Sequence, residues 1–174
     1  MNEVMKALLE RRSCKKFKPD AVPQELIEQV ARAGTYAASG MGKQSPIIVA
    51  VTNREIRDKL AKANAEIRGN PGADLFYGAP AVLVVLADRS VPTHVYDGSL
   101  VIGNMLLAAH SLGLGSCWIH RARETFERDE FKAILKQLGI EGDYEGVGNC
   151  VLGYPAQDAQ PAAPRKADYV YYLK

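Results

Sequence analysis

The chain is expected to form an α+β fold in which a sheet lies between two layers of helices. Three observations support this. Apolar runs of strand length alternate with longer stretches whose apolar residues recur at helical spacing. One of the runs, Ala81-Val82-Leu83-Val84-Val85-Leu86-Ala87, has no polar position at all, so it reads as a strand buried on both faces and central in the sheet. At 174 residues the chain has the length of one domain, 1–174, with enough material for a core.

The elements follow in order. Val4, Met5, Leu8 and Leu9 share one face of a helix from about Asn2 to Arg12. Pro23 suits the first turn of a second helix, whose buried side carries Leu26, Ile27 and Val30 and which ends near Tyr36. The glycine-containing loop Ser39–Pro46 then feeds Ile47-Ile48-Val49-Ala50-Val51, which reads as a buried strand. Pro46 biases Ser45 to extended geometry. Asn53 can cap a third helix carrying Ile56 and Leu60, and Gly69-Asn70-Pro71-Gly72 interrupts structure before the central strand. His94–Leu112 is a long helix stopped by Gly113, with Gly98, Gly103, Ala108 and Ala109 permitting close packing. Ser116–Ile119 is a short strand, Glu124–Leu138 a helix ended by Gly139, and Val147–Leu152 a further strand. The segment Pro155–Lys166 is rich in Pro and Ala without periodicity, and it ends in the strand-like Tyr169-Val170-Tyr171-Tyr172-Leu173. A structureless connection of that length is uncommon inside a compact domain. An arm at 155–174 that leaves the domain and adds its last strand to a partner subunit would account for it.

Composition narrows the classes of function. With 22 basic and 20 acidic residues there is no basic field for nucleic acid. Three cysteines at wide spacing, Cys14, Cys117 and Cys150, make neither a disulfide framework nor zinc-ligand pairs, which points to a reducing compartment. The opening MNEVMKALLERR has acidic residues and no long apolar stretch, unlike a signal peptide. The most apolar helix contains Asp97 and Asn104 and never reaches an uninterrupted membrane span. The expectation is a cytoplasmic protein with no membrane or nucleic-acid partner.

Few local patterns carry chemistry. Gly42-Lys43 imitates a phosphate-binding P-loop, but Ala37 stands where that motif needs glycine and Gln44 where it needs Ser or Thr, and the loop follows a helix rather than a strand. Arg11-Arg12-Ser13-Cys14-Lys15-Lys16 places four cations and a hydroxyl together, which suits a bound phosphate. It suits equally a solvated basic helix end that complements the dipole. Gly113-Leu114-Gly115 lacks the third glycine of a dinucleotide fingerprint. Cys117 and His120 could be nucleophile and base, but an offset of three in a strand puts them on opposite faces, and a small core residue is the plainer reading of Cys117. His94, His110 and His120 show no metal-ligand spacing, so no metal is expected.

Five motifs in order resemble the nitroreductase family of flavoproteins: Arg11-Arg12-Ser13 with Lys15 and Phe17; Ala38-Ser39-Gly40-Met41-Gly42-Lys43-Gln44-Ser45-Pro46; "AAHSLGLGSCWI" from Ala108 to Ile119; "VLGYP" at Val151–Pro155; and "PRK" at Pro164–Lys166. The resemblance implies a three-layer α/β/α sandwich with a mixed, mostly antiparallel sheet and an exchanged C-terminal strand. It also implies a homodimer with FMN at the interface. By the same resemblance Arg11, Arg12, Ser13 and Lys15 contact phosphate and ring, and Arg165 is a second phosphate partner. Ser39, Gly40, Met41 and Gln44 lie against the flavin, often from the partner subunit. Trp118, Ile119 and His120 present backbone groups to its reactive edge. Gly42 stands where the family usually has Asn, and Ser45-Pro46 where it has Pro-Trp; Asn70 is the one candidate for the pyrimidine edge.

The implied activity is an FMN-dependent oxidoreductase that takes hydride from NAD(P)H and reduces an electron-poor acceptor, a nitroaromatic or quinone, by a ping-pong mechanism. No catalytic side chain is implied, because the cofactor carries the chemistry. The alternatives are a flavin store or sensor without turnover, and a hydrolase built on Cys117 and His120.

Overall fold

The computed structural model describes residues 1–174. Helix α1, Glu3–Glu10, starts at Asn2, whose side-chain oxygen accepts the Met5 N–H at 2.9 Å. None of its residues is buried, so the face of Val4, Met5, Leu8 and Leu9 is uncovered in the protomer. Helix α2, Gln24–Thr35, buries Ile27, Val30 and Gly34, and strand β1, Pro46–Val51, follows the loop 39–45. Helix α3, Arg54–Ile67, is capped by Asn53, whose side chain accepts the Ile56 N–H at 3.1 Å. Strand β2, Ala81–Asp88, leads to helix α4, His94–Ser111, then to strand β3, Gly115–Ile119. Helices α5, Ala122–Phe126, and α6, Asp129–Gln137, precede strand β4, Tyr144–Gly153.

The four strands form one antiparallel sheet in the order β1-β2-β4-β3. The parallel element expected of a mixed sheet is reduced to a single bridge, Ser13 with Ser116. Strand β2 is central, as its unbroken apolar run requires, and alternate side chains serve two cores. Leu83 and Val85 pack with Ile27, Val30, Val101, Ile102 and Met105 of α2 and α4. Val82, Val84 and Leu86 pack with Leu60, Phe126 and Phe131 of α3, α5 and α6. Each such side chain, taken wholly out of water, contributes about 1.5–3 kcal/mol. The result is the expected three-layer sandwich. No helix is long and apolar enough to cross a membrane.

Two expectations are corrected. Strand β1, expected to be buried, is an edge strand with Ala50 exposed; its opening proline is tolerable there because an edge leaves one row of backbone donors unpaired. The helix expected at Glu124–Leu138 is two helices broken at Arg128, whose ψ of 138° is extended. Phe126 and Phe131 both enter the same core, with ring centroids 5.7 Å apart. In one continuous helix, five residues would set them roughly 140° apart. Tyr169–Leu173, expected to pair with a partner subunit, forms no strand within the protomer, and every residue from Ala156 to Lys174 is exposed. The root of this arm is nonetheless tied down: Lys18 N–H donates to the Tyr154 carbonyl and Ala156 N–H to the Lys16 carbonyl, each at 2.9 Å.

Candidate functional site

The site candidates gather along the open edge of β3. The segment following α1 runs parallel to the first half of that strand: Cys14 N–H donates to the Ser116 carbonyl at 2.9 Å. Backbone groups of alternate residues point to the same edge, so those of Trp118 face outward beyond the end of the segment. The N–H groups of His120 and Arg121 donate to no protein group. An edge with unpaired donors, beside a cluster of cations, is a place where a planar polar ligand can lie.

The cations are not all free for it. Arg12 turns back on α1 and donates through Nη1 to the carbonyls of Leu9 and Arg11, each at 2.7 Å. For this residue the helix-end reading of the basic stretch holds. Its Nε, and Nη1 of Arg11, are buried with no hydrogen-bond partner. Buried cationic donors left unpaired are costly, and an acceptor for either would reduce that cost. Arg12, Ser13 and Cys14 line a crevice of about 220 Å³ with His110, Gly115 and Pro155. Lys15 lies 6.0 Å above the Tyr77 ring.

Cys117 shows how closely these groups converge. Burial pushes its thiol up, while the neighbouring Ser13 hydroxyl and the charges of Lys15 and Arg11 pull the other way; burial wins. Cys117 is a core residue, and His120 is exposed and belongs to no such cluster. Cys150 is fully buried and its thiol is pushed up to about 12. The nucleophile-and-base alternative therefore has no geometry behind it. The Trp118 ring is half-buried, packed over Gly148, where a Cβ would come 2.7 Å from Nε1 and 2.8 Å from Ile102. Ile119 directs its side chain into the core, so only its backbone can reach a ligand.

The loop Ser39–Ser45 is built at the other end of α4. Asp97, only 3% exposed, accepts from the Gly40 N–H at 3.0 Å, the Ser45 hydroxyl at 2.9 Å and the Thr93 hydroxyl at 3.0 Å. Burial pushes its carboxyl up, but the three hydrogen bonds and the nearby His94 outweigh that and hold it below the usual aspartate range. Gly40 is required because a Cβ would overlap the Thr93 hydroxyl. Met41, Gly42 and Gln44 adopt φ of 52°, 66° and 49°, and the Ser39 hydroxyl accepts the Gln44 N–H at 3.1 Å. Ser39 and Gln44 line a second crevice of about 460 Å³, and Met41 is exposed.

One protomer does not bring the expected residues into one place. Arg11, Ser13 and Lys15 lie near the end of α4 that leads into β3, whereas Ser39, Gly40, Met41 and Gln44 lie at its start. Asp97, which holds the loop, and His110, which lines the crevice with Arg12, Ser13 and Cys14, are 13 residues apart on α4, about 20 Å along the helix. Arg165 is exposed and makes no hydrogen bond to the Arg11–Lys15 segment. Asn70 is exposed on the loop after α3.

Sequence reasoning missed three residues, Asp97, Asn64 and Asn149. Asp97 was noted only as a charge interrupting an apolar helix; a lone acid in the first turn of that helix, beside a glycine-rich loop, was the available signal.

The fold is a three-layer sandwich whose outer strand β3 has an open edge flanked by cations. The chain matches the model of the nitroreductase family over residues 8–68 and 65–154, and it belongs to that family. A Methanothermobacter thermautotrophicus protein provisionally named NADH dehydrogenase/NAD(P)H nitroreductase is 32% identical over 160 residues, which is 90% of this chain and 79% of that one. The FMN reductase [NAD(P)H] of Bacillus subtilis is 25% identical over 191 residues, 96% of this chain and 72% of that one. Among solved structures, a nitroreductase with bound FMN from Bacteroides fragilis superposes with a TM-score of 0.90 at 28% identity, over the whole of both chains.

Proposed function

We propose that the protein is an FMN-dependent NAD(P)H oxidoreductase. The observation that carries this reading is the pair of buried, unpartnered guanidinium nitrogens on Arg11 and Arg12, in a segment tied to β3, together with the free backbone N–H groups of His120 and Arg121 after that strand. A phosphate on the first and a polar ring edge on the second would complete both sets, and FMN has the two at opposite ends. Relatives named for FMN and NAD(P)H, and a neighbour with bound FMN, support the same reading.

Bound FMN would supply the chemistry, taking a hydride from NAD(P)H and passing two electrons to an acceptor such as a nitroaromatic or quinone that enters once the nicotinamide has left. The chain's own residues bind and orient. Arg11 and Arg12 hold the phosphate, Ser13 and Lys15 the ribityl chain and ring, and Trp118, Ile119 and His120 meet the ring edge through their backbone. The test is direct. Purified protein should be yellow, and its flavin absorbance should bleach with NADH or NADPH under argon and return when a quinone is added. Colour without bleaching would point to a store or sensor instead, and colourless protein that takes up no FMN would sink the flavin reading.

The distance along α4 supports a homodimer in which the loop 39–44 of one subunit closes the site of the other. The arm 155–174 fits this arrangement: its tyrosines and Leu173 are exposed, and a β-prone run left open is a liability that pairing removes. Crossing to the partner would also bring Arg165 within reach of a phosphate. Deletion of residues 156–174 should abolish dimerisation and FMN binding together; a truncated protein that stays dimeric and yellow would refute the exchange. The three free cysteines fit the reducing conditions of the cytoplasm.

A further inference from the structure

We propose that Asn64, with Asn149, is a positioning residue: it holds the turn Ile119–Arg121 so that the backbone N–H groups of His120 and Arg121 donate to the ring edge of the bound flavin. The inference rests on the flavoprotein reading above and goes beyond it by assigning what aims those donors.

Asn64 is fully buried on α3, yet both ends of its amide are spent on one distant turn. Its Nδ2 donates to the His120 carbonyl at 2.7 Å, and its Oδ1 accepts from Arg121 Nε at 3.0 Å. Asn149, 1% exposed on β4, donates through Nδ2 to the Ile119 carbonyl at 3.2 Å. The N–H and hydroxyl of buried Thr125 take the next carbonyl, that of Arg121, at 3.0 and 2.8 Å. Three successive carbonyls are thus drawn inward by buried groups. A peptide unit is planar and trans, so its N–H points opposite to its C=O. With the carbonyls of Ile119 and His120 turned in, the N–H groups of His120 and Arg121 are turned out, and neither has a protein acceptor.

Two further features argue against simple core filling. Arg121 holds φ 77°, ψ 14°, a left-handed conformation that a non-glycine residue keeps only when its surroundings impose it, and Asn64 grips both its side chain and the carbonyl before it. Asn149 leaves its Oδ1 buried without a partner, a cost that an apolar side chain would avoid; what the cost retains is the Nδ2 bond to Ile119.

The experiment uses the full-length protein with FMN and, separately, riboflavin, which has the ring without the phosphate. Amide hydrogen exchange at His120 and Arg121 should be fast in the apoprotein and slow with either flavin bound. Asn64→Asp keeps the acceptor for Arg121 and removes the donor to His120, and it should weaken FMN and riboflavin by the same factor, roughly tenfold for the lost donors. It should also restore fast exchange at those two amides in the loaded protein. Arg11→Ala, by contrast, should weaken FMN alone. If Asn64→Asp does not fold, Asn149→Leu should give the same pattern more weakly. Wild-type protein that binds FMN while the two amides exchange equally fast with and without it would overturn the proposal and leave the flavin reading intact. So would variants that lose only thermal stability, with flavin affinities unchanged. Wild-type protein that takes up neither flavin would overturn the reading itself.

Discussion

The loop Ser39–Ser45 is held by the protein's own groups: Asp97 accepts from Gly40 and Ser45, and the Ser39 hydroxyl accepts the Gln44 N–H. In the segment Arg11–Lys15 the backbone is tied to β3, but Nη1 of Arg11 and Nε of Arg12 are buried with nothing to donate to. The two stretches are motifs of one binding site by resemblance, and they are built in opposite ways. The loop is preorganised and presents a finished surface, so a ligand meeting it pays little to order it. The segment stores unmet donors, so a ligand meeting it gains what the apoprotein lacks. On the reading proposed above, one would prepare shape and the other supply affinity; their anchors on α4, Asp97 and His110, are about 20 Å apart along the helix.

The largest test of this division asks whether the two halves belong to different subunits. Protomers carrying Arg11→Ala are mixed with protomers carrying Gly40→Val, whose side chain would overlap Thr93. If each site pairs one subunit's segment with the other's loop, a mixed dimer contains one site with both halves intact, and bound FMN should return to about half the wild-type amount in mixed dimers. If both halves come from one chain, no intact site exists and the mixture stays colourless. Flavin absorbance of the isolated heterodimer decides between them.

Arg11→Ala by itself sharpens the contrast. Losing a charge-assisted hydrogen bond to phosphate costs about 1.5–3 kcal/mol, roughly ten- to a hundredfold in FMN affinity. Because the wild-type donor is unpaired in the apoprotein, the apoprotein's melting temperature should not fall. A variant that keeps full FMN affinity, or loses it through global instability, would break the assignment.

Asp97→Asn should behave the other way. It replaces one acceptor oxygen of a buried, three-bond carboxylate by a donor, which costs about 1–3 kcal/mol in the apoprotein. For a chain of this size that is a fall of roughly 2–4 °C in melting temperature per kcal/mol. The loss of FMN affinity should be smaller than for Arg11→Ala. The pH dependence follows in sign. The folded carboxyl titrates below its ordinary value, so its stabilisation is present above that value and is lost as pH falls through the lower, folded one. Apoprotein melting followed through the acid range should show a loss that the Asn variant lacks. A parallel loss in both proteins would place the titration elsewhere.

The legible parts of the molecule were those whose signal is local. The unbroken apolar run of β2, the cap at Asn53 and the stop at Gly113 each depend on residues within a turn or two, and each stands where it is expected. The basic stretch after α1 is legible as a phosphate candidate or a helix end, and both features are present: Nη1 of Arg12 caps the helix, while its Nε and Nη1 of Arg11 lack partners. The break at Arg128 was not legible, because helix periodicity continues across it and only the shared core of Phe126 and Phe131 interrupts the chain.

Sequence alone therefore determined the order of elements apart from the break at Arg128, the central strand and the charged segment, since these are written in neighbouring residues and their spacing, and its motifs carried the resemblance to the family. Tertiary structure decided what those residues do together. It placed β1 at an edge, set the two halves of the candidate site at opposite ends of α4, and brought Asn64 to a carbonyl 56 positions away. A buried amide has no spacing rule that announces its partner. Its hydrogen bonds are specified by the packing of α3 against the turn after β3, and that packing exists only once both cores have formed.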